Sequence, residues 1–333
     1  MKKSEIVHRI FHDHQVLKPK QPKGLAFAPT NIALCKYWGK RDPLLNLPVT
    51  SSLSVSLPDK GALTSMMVID KEDDVIILNG VPIGADTSFK KRTSDFLNLF
   101  RGEDSIKLHL DIQMNIPVAA GLASSACGFA SIVASLNDLC AWQLQQRDLS
   151  ILARIGSGSA ARSLWNGFVE WHAGVSPDGM DSYGEPLPFE WPELLIGLLP
   201  ISHAEKSISS RQAMLQTVNT SALFASWPRK VMQDLIILKQ ALHGKNFSLL
   251  GGTSESNALA MHATMLSSWP PICYFLPETI AAMHKIWQLR KGGLPLYFTE
   301  DAGPNLKLLF LDKDKDTVVE SFPEVEVIQL FDR

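Results

Sequence analysis

Between Ile112 and Asn137 the chain carries no formally charged residue. A stretch of that length either crosses a membrane or is buried inside a folded core. Its internal order argues against the first. Pro117, Gly121 and Gly128 interrupt it, and Gln113, Asn115, Ser124, Ser125, Ser131 and Ser135 are spread along it. Residues 107–114 alternate apolar and polar side chains, as a half-buried strand does. The segment therefore reads as a strand, a turn of small residues and a helix predicted over 124–139. Small residues let backbone approach a ligand closely, and a helix N-terminus offers unpaired N–H groups at the positive end of its dipole. The turn Pro117-Val-Ala-Ala-Gly-Leu-Ala-Ser-Ser-Ala126 thus suits a phosphate, with Ser124 or Ser125 placed to face a magnesium ion. It suits equally well a tight strand–helix joint with no ligand. It is neither a Walker loop nor a dinucleotide fingerprint, since it lacks both GK[ST] and GxGxxG.

The remaining pattern is mixed. Strands are predicted at 25–28, 52–57, 64–69, 75–78, 107–114 and 168–172, with helical pieces at 149–155 and 159–164. A stretch dense in Gly, Pro and Asp at 174–193 marks a boundary. Beyond it lie a strand at 194–199, helices near 207–218, 229–242, 255–267 and 277–291, and closing strands near 294–299, 306–309 and 325–330. This is an α+β chain in two lobes. The expected divisions are a polar N-terminal extension over 1–23, an N-terminal lobe over 24–190 and a C-terminal lobe over 191–333.

Charge narrows the partners. Lys and Arg number 32 against 34 Asp and Glu, for a net charge of −2. No global field draws such a chain to nucleic acid or an anionic membrane. A polyanionic ligand must be met by a local cluster of cations. Cys35, Cys127, Cys140 and Cys273 show no metal-ligand spacing, so a reducing, cytoplasmic setting with the thiols as small core residues is expected. His8, His12 and His14 lack the flanking Cys or carboxylate pattern of a metal site and read as one helix face. The N-terminus has lysines but no apolar signal region.

The motif Pro-x3-Gly-Leu-x-Ser-Ser-Ala resembles the ATP-binding loop of the GHMP kinase superfamily. Three more segments resemble one branch of it, the mevalonate diphosphate decarboxylases: 28–42 (APTNIALCKYWGKRD), 156–163 (GSGSAARS) and 301–305 (DAGPN). Phe168–Trp171, Ser202–Lys206 and His262–Thr264 fit the same family, and the resemblance runs in order from about 24 to 310. It implies a GHMP kinase fold, with an N-terminal lobe like the second domain of a ribosomal protein, a C-terminal ferredoxin-like α/β lobe and an active site in the cleft between them. It also implies ATP as co-substrate, Mg2+, mevalonate 5-diphosphate as substrate and a homodimer.

Residue roles follow from the same resemblance. Asp301 matches the catalytic aspartate, and Lys36 a lysine beside it. Arg162 matches the arginine that holds the substrate carboxylate, a task its planar fork suits. Asn31 lies near that carboxylate. Tyr37, Lys40, Ser157, Lys206, Ser210 and Arg211 are expected around the diphosphate, with Arg41 as a further cation and Asn46 and Ser51 lining the pocket. Pro117, Gly121, Leu122, Ala123, Ser124, Ser125 and Ala126 would hold ATP. Glu300, beside Asp301, is expected to be exposed. A kinase of the same superfamily, or a decarboxylase of a mevalonate monophosphate, would show much of this pattern. His203 interrupts the family's Ser-Ala-Glu-Lys run, and Cys273 stands where many relatives have serine, expected as a packing change.

Overall fold

The computed structural model describes residues 2–12, 16–101, 106–116, 124–204 and 206–332. In the first half, chain order is α1 (Lys3–Phe11), β1 (Gly24–Cys35), β2 (Lys40–Asp42), β3 (Leu47–Pro48), β4 (Ser52–Ile69), β5 (Val75–Leu78) and β6 (Val81–Pro82). Then come α2 (Ser88–Arg101), β7 (Lys107–Met114), α3 (Ser124–Leu139), α4 (Gln146–Gly156), β8 (Phe168–Trp171) and β9 (Gly184–Pro186). The second half runs β10 (Leu194–Leu199), α5 (Ser210–Thr220), α6 (Trp227–His243), α7 (Phe247–Leu266) and α8 (Pro277–Lys291). It closes with β11 (Tyr297–Glu300), β12 (Leu306–Leu311), α9 (Lys315–Ser321) and β13 (Glu326–Gln329).

β4 organises the larger sheet. It pairs antiparallel with β1 along most of its length, with β7 over 62–69 and with β8 over 52–55. The sequence predicts two strands here, 52–57 and 64–69. In fact the chain bulges without reversing. The register shifts between Pro29 and Thr30, and a Cβ on Gly61 would lie 2.1 Å from the Ala28 carbonyl oxygen. Only glycine admits that approach. β10 lies between β12 and β13 in a second, four-stranded antiparallel sheet edged by β11.

The apolar helix α3 crosses β1 and β4, and α6 and α7 pack on the other end of β1. The main core is therefore continuous between the two halves, running from Leu34, Trp38 and Phe129 to Trp227, Val231 and Leu250. A smaller cluster under the second sheet joins Met283, Ile286, Phe298, Phe310 and Val318. Cys35, Cys127 and Cys140 are buried as expected, whereas Cys273 is exposed and so is no packing residue. Among the described residues no helix is long and apolar enough to cross a membrane.

Two segments differ from the sequence reading. Residues 88–101, unpatterned at first sight, form α2, which buries Phe96, Leu97 and Phe100 and seats Arg101 against Asp74 at 2.5 Å. Residues 1–23 are not a polar appendage. α1 buries Ile6 and Val7 against α2 and α4, and Val16 and Leu17 are buried behind it. Their helical spacing was the available signal, masked by the lysines and histidines around it. His14 lies outside the described residues, among which no His, Cys, Asp and Glu group could hold a metal ion.

Candidate active site

A cleft of about 660 Å³ opens where the end of β1, the first turns of α3 and α5 and the loop after β11 converge. Each contributes for a local reason. β1 ends at Cys35, so Lys36 and Tyr37 leave the sheet edge at the cleft. A single 3-10 turn over Gly158–Arg162, read from sequence as a longer helix, presents Arg162. Ser209 caps α5 in a reciprocal capping box with Gln212, which puts Ser210 and Arg211 at the helix start. β11 stops at Glu300, and the following turn holds Asp301 in the cleft.

The cleft collects most of the residues the sequence picks out. Asn31, Lys36, Tyr37, Lys40, Asn46, Ser124, Ser125, Ser157, Arg162, Lys206, Ser210, Arg211 and Asp301 all line it. Ala126 does not; it is buried in the first turn of α3. Pro117, Gly121, Leu122 and Ala123 lie outside the described residues, as does Glu205. Arg41 turns away, donating to the carbonyls of Ala173 and Ser176. Ser51 also faces elsewhere, its hydroxyl accepting from the Ala173 N–H at 3.0 Å, because strand alternation sends Ser52 inward instead. Arg92 of α2 lines the cleft and was missed, since nothing in the sequence marks that helix.

Asp301 is the electrostatic centre. Lys36 Nζ donates to its Oδ1 at 2.8 Å, and Lys307 Nζ lies 3.6 Å from Oδ2. Burial alone would raise the Asp301 carboxyl, but Lys36, Lys307 and then Arg162 outweigh it and hold it well below the ordinary carboxylate range. Lys36 is fixed from three directions. Its Nζ also donates to the Ala33 carbonyl at 2.8 Å, and its backbone N–H donates to Asn257 Oδ1 at 2.8 Å. Asn257 is itself oriented by Asp234. Lys307 and Asn257 escaped the sequence reading, being single residues on β12 and α7 with no motif around them.

Arg162 is 3% exposed, and burial lowers its guanidinium to about 10. Its Nε donates to Asn31 Oδ1 at 3.2 Å and its Nη1 to Ser52 Oγ at 2.5 Å. Asn31 in turn donates to Ser163 Oγ at 2.7 Å. The fork is thus held by two side chains, and Nη2 makes no hydrogen bond among the described residues. Ser125 Oγ lies 3.1 Å from Ser157 Oγ, and the buried Tyr37 hydroxyl has no hydrogen-bond partner among the described residues. A Cβ on Gly158 would come within 2.8 Å of that hydroxyl, so glycine keeps the approach open. An unpaired phenol, two serines at a helix N-terminus and nearby cations fit phosphate oxygens. A divalent cation there would draw its ligands from a serine hydroxyl and from those phosphates.

Glu300 is the correction in this site: it is fully buried, not exposed, with neither carboxyl oxygen hydrogen-bonded among the described residues and His262 Nε2 at 3.6 Å. It ends β11, a strand buried on both faces from Phe298 on, while Asp301 begins the turn. His262 stacks on Phe275 and contacts the Asp301 carbonyl at 3.0 Å through Nε2; burial lowers its imidazole to about 3, so it donates there as a neutral ring. Burial raises the Glu300 carboxyl well above its ordinary range, against the pull of Lys307 and Lys36. In the unfolded chain Glu ionises above about pH 4.3, so from there upward folding takes up a proton and stability falls until the folded value is passed. Glu300→Met is expected to flatten that slope and to gain about 1–3 kcal/mol at pH 8, where an unpartnered carboxyl no longer has to be buried. Urea unfolding at pH 5 and pH 8 measures both. A variant less stable at both pH values would contradict the buried neutral acid.

Comparison with known proteins agrees along the chain. Residues 28–184 match the family model of the diphosphomevalonate decarboxylase-like N-terminal domain, and 196–329 that of the mevalonate 5-diphosphate decarboxylase C-terminal domain. Diphosphomevalonate decarboxylase from Aspergillus fumigatus is 39% identical over 316 residues, covering 87% of this chain and 77% of that one. The enzyme from Saccharomyces cerevisiae is 37% identical over 308 residues, covering 86% and 78%. The crystal structure of mevalonate diphosphate decarboxylase from Staphylococcus aureus superposes with a TM-score of 0.87 at 36% identity, over 93% of this chain and 96% of that one. A structure of MDDEF in complex with MVAPP, AMPPCP and magnesium superposes with a TM-score of 0.83 at 39% identity, over 92% and 95%.

Proposed function

The chain belongs to the diphosphomevalonate decarboxylase family and carries out the ATP-dependent decarboxylation of mevalonate 5-diphosphate, and we propose that Asp301 is the group around which this chemistry is built. The observation that supports this reading is the ion pair in the cleft: a carboxylate held ionised by Lys36 and Lys307, lining the same cavity as the serines of α3.

The reaction divides into two steps. In the first, the substrate's tertiary 3-hydroxyl takes the γ-phosphoryl group of ATP, releasing ADP. Asp301 is a weak base, because its neighbours hold it ionised. It therefore acts by accepting the hydroxyl's hydrogen bond and aiming its oxygen, and it takes the proton only as the new O–P bond makes that proton acidic. Ser124, Ser125 and Ser157, lining the same cavity, meet the phosphate oxygens. Magnesium, when bound, neutralises charge on those oxygens. In the second step the C3–O bond breaks and phosphate leaves with the electron pair. Positive charge grows at C3, where the Asp301 carboxylate stabilises it. The C1–C2 bonding electrons move to form the C2–C3 double bond, releasing carbon dioxide and isopentenyl diphosphate. Arg162, steadied by Asn31 and Ser52, holds the departing carboxylate in line.

A stoichiometric assay tests the whole reading. With ATP and mevalonate 5-diphosphate, one carbon dioxide is expected per ADP formed. ADP without carbon dioxide would make the chain a kinase, and equal turnover of the monophosphate would remove the diphosphate specificity. A cytoplasmic homodimer accompanies this function. The buried free thiols suit a reducing compartment. Leu25 and Phe27 on β1 lie beside Leu63 and Met67 on β4, an exposed apolar face that a second copy would cover.

A further inference from the structure

Part of the cleft holds more positive charge than the chain balances. Lys40, Arg92 and Arg211 line it, and Lys3, at the start of α1 and outside the lining residues, is close enough to Arg211 and Arg92 for their charges to act on it. Lys3 Nζ donates to the Ile155 carbonyl at 2.7 Å. That carbonyl also accepts from Asn46 Nδ2 at 3.3 Å, and Asn46 Oδ1 accepts from Lys40 Nζ at 2.7 Å. One cleft-lining amide therefore separates the two ammonium groups. Among the described residues, none of the four cations lies within ion-pair distance of a carboxylate. Burial, and then the charges of Arg211, Lys3 and Arg92, lower Lys40 to about 8. Asp95 on α2 gives Lys3 only a weak opposing pull. Like charges gathered without a counter-ion raise the free energy of the empty protein, and a bound polyanion relieves it.

We propose that Lys3 is a substrate-binding residue of this enzyme, adding a fourth cation to the group that takes the terminal phosphate of mevalonate 5-diphosphate. It is supplied by a helix that lies before residue 28, where the match to the family's N-terminal domain begins. The substrate's diphosphate is favoured over the nucleotide because the resemblance assigns Tyr37, Lys40 and Arg211 to the diphosphate, and Lys3 is linked through the Ile155 carbonyl and Asn46 to Lys40. The inference rests on the cleft's reading as a decarboxylase site.

Lys3→Gln is expected to raise KM for mevalonate 5-diphosphate roughly tenfold, as for the loss of one charge-assisted hydrogen bond. KM for ATP and kcat should stay within about twofold of the wild type, the change of a screened, distant charge. Lys3→Arg should restore the wild-type KM, and the difference between Lys3→Gln and wild type should shrink as salt is added. An unchanged substrate KM in Lys3→Gln overturns the proposal. So does a parallel rise in KM for ATP, which would assign the cation to the nucleotide, or a loss of kcat together with a lowered Tm, which would make Lys3 a fold residue only. The carbon dioxide count on the wild type, which does not depend on Lys3, is made first. Should it fail, calorimetric titration of both proteins with inorganic pyrophosphate still tests the site: weaker binding to Lys3→Gln supports it, and equal binding overturns it.

Discussion

Asp301→Asn is expected to lower kcat by at least ~10²–10⁴-fold, the range for a positioned acid or base, while mevalonate 5-diphosphate still binds within a few-fold of wild type. The amide keeps the size of the side chain and can still accept from the hydroxyl. What it loses is the negative charge that faces C3 when phosphate departs. It also leaves Lys36 and Lys307 buried without their counter-charge. The variant is therefore expected to lose some stability as well. The loss should fall below the ~3–5 kcal/mol of a fully buried pair, since the Asp301 side chain keeps 24% of its surface in the cleft. Turnover followed by ADP release, substrate affinity by calorimetry and Tm by calorimetric scan separate the three effects. A variant turning over near the wild-type rate would remove Asp301 from the mechanism.

Arg162→Lys is expected to cut kcat/KM by about 10²–10³-fold, the loss typical of one preorganised charge-stabilising donor. Lysine conserves the charge, so a purely electrostatic role would predict almost no change. The geometry predicts otherwise. Two of the guanidinium nitrogens are used on Asn31 and Ser52, which fix the plane, and the third makes no hydrogen bond among the described residues. An ammonium in its place cannot hold both anchors and still reach the carboxylate. The same change leaves Ser52 and Asn31 short of a buried partner, so Tm should fall a little. Steady-state kinetics decide the matter, and wild-type kcat/KM in this variant would refute the clamp.

The family resemblance made much of this site legible in the sequence, through residues 28–42 and 156–163 and through DAGPN, which puts a carboxylate at a strand end. The Pro117–Ala126 turn, expected to hold phosphate, lies mostly outside the described residues. What stayed hidden depends on contacts between distant segments. Lys307 meets Asp301 only because β12 folds back beside β11, and Asn257 reaches Lys36 only because α7 packs on β1. Glu300 was misjudged for a related reason. The residue type argued for solvent, but β11 is covered on both faces, so Phe298, Thr299 and Glu300 are all buried. Ser51 and Ser52 show a one-residue sensitivity of their own. α1 and α2 were missed because their apolar faces are narrow and interrupted by charge, so only packing reveals them.

The uninterrupted apolar floor beneath the cleft bears on how this enzyme meets its ligands. Because α3 and α7 both pack on β1, and α7 in turn on β11, the helix carrying Ser125 and the strand leading to Asp301 are tied to one strand and one core. The distance between the two groups therefore depends on packing beneath the cleft, so a substitution in that shared core reaches the chemistry above it.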